Sequence, residues 1–149
     1  MKIEEVLVTN KFESEYHKAS LNIMYTSNFI QSLLKERTDQ EKITLQQYNV
    51  LRILRGQKLK PATVNMLKER LLDRMSDVSR IIDRLVQKGL VSRCTSHKDR
   101  RAVDIFITQE GMAILERLDK KMSILTVLDE NLTEDECKQL NFLLDKLRG

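Results

Sequence analysis

A mainly α-helical chain of the α+β class, interrupted once by a two-stranded β-hairpin, follows from three features of the sequence. Apolar residues recur at helical spacing through most of the 149 residues. Capping signatures open several of those stretches. The period changes from the helical ~3.6 to the strand ~2 only between Leu90 and Ile107. With one Pro, four Gly and no low-complexity or repeated run, linkers and disorder are not expected. The length favours one domain, residues 1–149, able to bury roughly 70% of its unfolded surface.

Charge is local. The chain carries 26 Lys+Arg against 22 Asp+Glu, a net +4. From Lys68 to Arg101 ten basic residues face five acidic ones, so that segment holds the whole excess. Such a distribution suits a surface that meets phosphate. The N-terminal decapeptide is too acidic and too poor in apolar residues for a signal peptide, and no later run has transmembrane length, so a cytoplasmic protein without membrane contact is expected. Cys94 and Cys137 have no metal or CxxC spacing and are expected to be reduced. Cys137 lies on a helical apolar stripe, and Cys94 lies on a strand.

The spacing predicts a long first helix from Phe12 to about Arg37. Tyr16, Ala19, Ile23, Ile30 and Leu34 lie on one side of it, and Leu21, Met24, Phe29 and Leu33 on another. So wide an apolar arc calls for several partners, a second subunit among them. After a polar connection, Asp39 to Lys42, Thr44 and Gln47 form a capping box flanked by an Ile43/Tyr48 staple. A second helix should therefore run from Thr44 to about Arg55, closed by Gly56. Pro61 keeps Gln57 to Ala62 in a loop, and Thr63 caps a third helix to about Leu71 or Leu72, buried through Val64, Leu67 and Leu71.

The fourth helix, in the stretch Met75 to Gly89, is capped by Asp73 or Ser76. It buries Val78, Ile81, Ile82, Leu85 and Val86 and stops at Gly89, which is expected to be left-handed. Ser76, Arg80, Asp83, Arg84 and Gln87 face outward, with Asp77 and Ser79 on the flanks. Two short helices joined by a tight turn, the second polar outward, make a helix-turn-helix. Directly behind it, Leu90 to Thr95 can pair antiparallel with Val103, Ile105 and Ile107. The intervening Ser96-His-Lys-Asp-Arg-Arg101 forms a cationic tip, in the position of a wing. Thr108 caps a fifth helix, Gln109 to Asp129, with Met112, Leu115, Leu118, Met122 and Leu125 on one side. Thr133 and Glu136 box a sixth, striped by Cys137, Leu140, Leu144 and Leu147. These terminal helices supply a second apolar layer suited to oligomerisation.

Asp-Val-Ser-Arg-Ile-Ile-Asp-Arg-Leu-Val-Gln-Lys-Gly-Leu-Val, then Asp99-Arg100-Arg101-Ala102 and Ile107-Thr108-Gln-Glu-Gly111, resembles the MarR family of bacterial transcription regulators, over nearly the whole chain. The resemblance implies a winged helix-turn-helix lobe, residues 44–107, on a helical dimerisation lobe, residues 11–37 and 109–148. It also implies a homodimer on a palindromic site in double-stranded DNA, with the fourth helix in the major groove and the wing over the minor groove. In many members a small, often phenolic effector releases the DNA. The positions that match the recognition motif are Ser76, Asp77, Ser79, Arg80 and Arg84; those that match the wing are His97, Lys98, Arg100 and Arg101. Asp99 is better suited to holding a wing arginine than to facing phosphate. The reactive cysteine of peroxide-sensing members, near the N-terminus, has no counterpart here.

DNA chemistry fits the same side chains on its own terms, since arginine can read guanine bidentately while hydroxyls and lysines contact phosphate. Arg80, near the helix start, is the first choice for base reading. Arg84, one turn on, is placed to reach phosphate. Met24, Tyr25, Phe29 and Tyr48 are the residues that could line an effector site, with core packing as the competing role for each. No cofactor is expected. His17 and His97 are the only histidines, and zinc spacing, P-loop and Rossmann glycine patterns are missing, so catalysis is not expected. The alternative is a winged helix that contacts protein or RNA without reading DNA sequence.

Overall fold

The computed structural model describes residues 1–58, 60–71, 77–96, 103–121, 127–128 and 130–149. Its elements are α1 (Ile3–Leu7), α2 (Glu15–Gln40), α3 (Leu45–Gly56), α4 (Val64–Arg70), α5 (Val78–Gln87), β1 (Val91–Thr95), β2 (Val103–Ile107), α6 (Gln109–Lys121) and α7 (Glu134–Arg148). All six expected helices and the two paired strands of the hairpin are present among the described residues; the fifth helix is described to Lys121 of its expected Asp129 end, and residues 97–102 of the hairpin lie outside the described residues. The short α1 was not expected. Five residues are too few to show a period, and this turn of helix is held by tertiary contacts, with Ile3 buried and Glu4 paired to Lys18 of α2 at 2.5 Å.

Local chemistry sets most boundaries. Ser14 caps α2 by accepting from the His17 backbone N–H at 3.2 Å, two residues beyond the expected Phe12 start. The helix runs three residues past Arg37, to Gln40. Thr38 is why it can: fully buried, it donates its hydroxyl to the Lys35 carbonyl at 3.0 Å, and its own carbonyl accepts from the Ile43 N–H at 3.2 Å. The Thr44/Gln47 box opens α3 as expected, with both reciprocal bonds made, at 3.2 and 3.1 Å. Thr63 caps α4 through the Met66 N–H at 3.2 Å.

The core sits around α3, which packs against α2, α4, α5, α6 and β2. Tyr48, Val50, Leu51 and Leu54 of α3 meet Leu67, Val78, Ile82, Leu85, Leu90, Ile105, Leu115 and Leu118, all buried. Burying a side chain of this size stabilises by about 1.5–3 kcal/mol, so this cluster is what holds the helix-turn-helix in shape. Ile114 is buried too, whereas Met112 of the expected stripe is only half-buried. Met122 and Leu125 lie outside the described residues.

The hairpin is antiparallel, with Val91 opposite Ile107, Arg93 opposite Ile105 and Thr95 opposite Val103. The loop before α4 adds an isolated bridge: Ala62 and Ile105 exchange backbone hydrogen bonds at 3.0 and 2.9 Å. Period-2 alternation holds only in part. Ile105 is fully buried, yet Val103 is exposed, because the strand leaves the core as it approaches the tip.

Behind the hairpin, Thr108 accounts for the Thr-Gln-Glu-Gly run. Its hydroxyl donates to the Gly89 carbonyl at 2.8 Å and accepts from the Gly111 N–H at 3.1 Å, joining the start of α6 to the end of α5. Gly111 is required by contact, since a Cβ there would lie 2.4 Å from the Leu90 carbonyl oxygen and 2.8 Å from Ile107 Cγ1. Charged pairs then bind α6 to its neighbours. Arg55 of α3 pairs with Asp119, and Arg117 meets Glu41 at 2.9 Å. Asp119 beside Arg55, and Glu41 beside Arg117, each raise the guanidinium pKa above its usual value.

The Thr133/Glu136 box opens α7 as expected. None of the residues of α7 is buried within the chain: Leu140, Phe142, Leu143 and Leu147 are exposed, and Cys137 and Leu144 half-exposed. No helix among the described residues is long and apolar enough to cross a membrane.

Candidate nucleic-acid interface

Helix α5 carries the outward Arg80 and Arg84, and both its ends are pinned. At its end the Gly89 N–H donates to Val86 at 2.9 Å and the Leu90 N–H to Leu85 at 3.0 Å, with Gly89 at φ +70°. This paired closure needs a left-handed residue, and glycine takes that shape without strain. At its start the cap is Asp77, whose Oδ1 accepts from the Arg80 N–H at 3.2 Å. This corrects the expected Asp73 or Ser76 cap. Three acceptors lie within five residues, and only backbone geometry decides which one meets a free N–H. Asp73 and Ser76 themselves lie outside the described residues.

Between those ends the two faces are sharply divided. Val78, Ile82 and Leu85 are buried, and Ile81 and Val86 half-buried. Asp77, Ser79, Arg80, Asp83, Arg84 and Gln87 are exposed. The Arg80 side chain is 81% exposed and its Nε lies 3.2 Å from Asp77 Oδ2.

The helix is braced on both sides. Arg93 Nη1 of β1 lies 2.5 Å from Asp83 Oδ1, tying the wing strand to the outward face of α5. The Lys88 ammonium donates to the Lys42 carbonyl and reaches Gln47 Oε1 at 3.5 Å, tying the end of α5 to the start of α3. Arg93 and Lys88 were not singled out from sequence, since a partner ten or more positions away leaves no local pattern. A groove of about 340 Å³ opens between the two helices, lined by Thr44, Gln46, Gln47, Asp77, Arg80, Ile81 and Arg84.

Of the residues expected at the interface, Asp77, Ser79, Arg80 and Arg84 are brought together on this one exposed face. Ser76 and the wing residues His97, Lys98, Asp99, Arg100 and Arg101 lie outside the described residues. Of the expected effector-site residues, Tyr48 is a core residue at 5% exposure, while Met24, Tyr25 and Phe29 are exposed along α2. The groove beside α5 is lined by none of the four. Cys94 is an exposed free thiol on β1, and Cys137 a half-buried one on α7. No group of three or more metal-ligating side chains occurs among the described residues.

Comparison with known proteins bears on this surface. A family model described as the MarR family matches residues 43–103, from two residues before α3 to the first residue of β2. The HTH-type transcriptional regulator PapX of Escherichia coli is 33% identical over 101 residues, a match covering 67% of this chain and 62% of PapX, less than two thirds of that relative. The HTH-type transcriptional repressor MdtR of Bacillus subtilis (strain 168) is 33% identical over 119 residues, covering 79% of this chain and 76% of MdtR. Among solved structures, a cysteine-to-serine mutant of MarR from E. coli complexed with operator DNA superposes with a TM-score of 0.78 at 30% identity. That match covers 93% of this chain and 99% of the other.

Proposed function

The chain belongs to the MarR family, and from that premise we propose that it is a sequence-specific regulator of transcription, a repressor that holds a palindromic double-stranded operator as a cytoplasmic homodimer. The observation that carries the reading is α5. One face is buried and both ends are hydrogen-bonded closed, leaving Arg80 and Arg84 outward and the hairpin braced alongside through Asp83 and Arg93. A helix fixed in this way presents its arginines to a major groove at little entropic cost. The E. coli MarR mutant was solved with operator DNA, and MdtR is named a repressor, which supports the same use of the same fold here. This is a family of regulators and not of enzymes.

In this reading residues 44–107 are the winged lobe and residues 11–37 and 109–148 the dimerisation lobe. The exposed apolar faces of α2 and α7 are covered by a second copy of the chain. Two recognition helices then meet major grooves one turn, about 34 Å, apart. Arg80 reads a base. Ser76, Asp77, Ser79 and Arg84 border it, and His97, Lys98, Arg100 and Arg101 follow phosphate or the minor groove, with Asp99 supporting the wing. A small aromatic or phenolic effector, sought first at Met24, Tyr25 and Phe29, lowers the affinity for DNA.

Selection of bound duplexes from a random pool tests the reading, with a palindrome as the expected result. On the selected site, Arg80→Ala should cost about 1–3 kcal/mol and relax preference at one symmetric pair of positions. Arg101→Ala should weaken selected and scrambled DNA alike and lower the slope of log K against log salt by roughly one per subunit. If neither variant changes binding, a winged helix that contacts protein or RNA becomes the better reading.

A further inference from the structure

Asp77 sits where a carboxylate is least welcome, on the face that would meet phosphate. Its two oxygens are divided between two tasks. Oδ1 accepts the Arg80 backbone N–H at 3.2 Å, which is the helix cap, and Oδ2 lies 3.2 Å from Arg80 Nε. A cap alone needs only one neutral acceptor, and Asn or Ser serves as well as Asp. The second contact is what a carboxylate adds. It engages the guanidinium by its inner nitrogen and leaves the two terminal nitrogens, the end-on pair that matches guanine O6 and N7, unoccupied among the described residues.

We propose that Asp77 is a positioning residue for DNA specificity: by holding Arg80 Nε it aims the free end of the guanidinium at a base edge. This rests on the reading of α5 as the recognition helix. Both side chains are largely exposed, 81% for Arg80 and 57% for Asp77, so in the free protein water competes with the pair and its contribution to stability is small. On DNA the same pair loses its water and strengthens. The carboxylate meanwhile repels backbone phosphate wherever Arg80 has no base partner to compensate. Asp77 therefore lowers affinity for random sequence while favouring the register in which Arg80 finds its base. Discrimination is gained at the expense of total affinity.

Asp77→Asn separates the two tasks, since it keeps a capping oxygen and removes the charge. Binding isotherms on selected and scrambled duplexes at several salt concentrations are compared for the unmodified protein, Asp77→Asn, Arg80→Ala and the double variant, with melting measured in parallel. Asp77→Asn should melt like the unmodified protein, bind scrambled duplex more tightly, and lose roughly twofold to fivefold of its preference for the selected site. In the Arg80→Ala background the same change should leave the preference where it was, because the residue it positions is gone. Should Asn disturb the cap and lower the melting temperature, Asp77→Ser provides the second neutral cap. A preference that is unchanged or higher in these variants overturns the proposal, as does an equal loss with Arg80 absent. If the unmodified protein shows no sequence preference, the functional reading fails and this proposal with it. If preference is present and depends on Arg80 but not on Asp77, only the positioning role is lost.

Discussion

The lobe around α3 and the terminal helices draw on the same kinds of apolar residue, and those residues have opposite fates. Val50, Leu51, Leu67, Leu85 and Ile105 are at 0% exposure, while Met24, Phe142 and Leu147 are at 63%, 63% and 66%. Hydrophobic spacing tells which side of a helix wants to leave water, but it does not tell whose surface will cover it. In the winged lobe the chain covers itself. Along α2 and α7 it does not, and an apolar surface of that extent is the mark of an interaction face. A helix such as α5, in a lobe with its own core, keeps its shape whether or not a partner is bound, whereas the spacing between two such helices exists only in the proposed dimer.

The contrast can be broken at either end, and the largest effects come from one substitution in each region. Leu51→Ala opens a cavity in a fully buried site and should cost about 2–5 kcal/mol. Chemical unfolding should find that loss similar at all protein concentrations once the dimer is formed. Leu140→Asp places a carboxylate on the 42%-exposed stripe of α7. It enters the proposed dimer twice, and burying each unpaired charge costs several kcal/mol or keeps the subunits apart. Sedimentation at micromolar concentration should then show monomer, and melting should lose the dependence on protein concentration expected of the dimer. A dimer of unchanged stability in Leu140→Asp would mean that α7 faces solvent and that the two regions do not differ in the way described.

Gly111→Ala comes next, and it sharpens the contrast at the joint between the regions. The added methyl would meet backbone at 2.4 Å, the Leu90 carbonyl, which cannot rotate away. Overpacking of this kind costs about 1–3 kcal/mol. The cost should appear both as lower melting and as weaker DNA binding, because Leu90 also belongs to the closure of α5. Normal melting and binding in this variant would show that α6 can shift away from the hairpin at no cost.

The same joint shows what sequence reading reaches and where it stops. Thr44 with Gln47, Thr133 with Glu136, and Gly89 after a helical stripe are signals complete within a few residues, and the structure realises each of them. The hairpin was legible from its change of period, and the outward direction of Arg80 and Arg84 from helical rotation. The Thr108 hydroxyl was expected as a cap but not as a link to the Gly89 carbonyl nineteen residues earlier. Nor could periodicity find Arg93 with Asp83, Lys88 with the Lys42 carbonyl, or the choice of Asp77 as cap. Each depends on which elements pack together, and that is decided by the core. Tyr48 illustrates the same limit from the apolar side. Its spacing fitted both a pocket and a core, and burial at 5% places it in the core.

The smallest expected effect lies in the pH dependence of α7. The Glu136 carboxylate accepts the Thr133 backbone N–H at 2.8 Å and the Thr133 hydroxyl at 2.8 Å, and these bonds, the backbone one foremost, hold its pKa below the usual 4.5. An acid whose pKa is lower in the folded state stabilises that state fully above its unfolded value, and the contribution disappears as pH falls through the folded value. The window is therefore acidic, opening near 4.5 and extending downward. Glu136→Gln keeps an oxygen that can accept the Thr133 N–H but has no proton to gain. Its stability should fall less steeply than that of the unmodified protein below this pH, while near neutrality the two should differ only slightly. Glu4, lowered by Lys18, titrates in the same window, so the quantity that matters is the difference between the two curves. Because the box opens a helix of the exposed layer, the lost cap should register first in dimer dissociation, with the winged lobe retaining its near-ultraviolet signal. Parallel curves down to pH ~3 would mean that this cap frays at no cost in the intact protein. A loss of core signal in step with dissociation would mean that the two regions unfold as one unit.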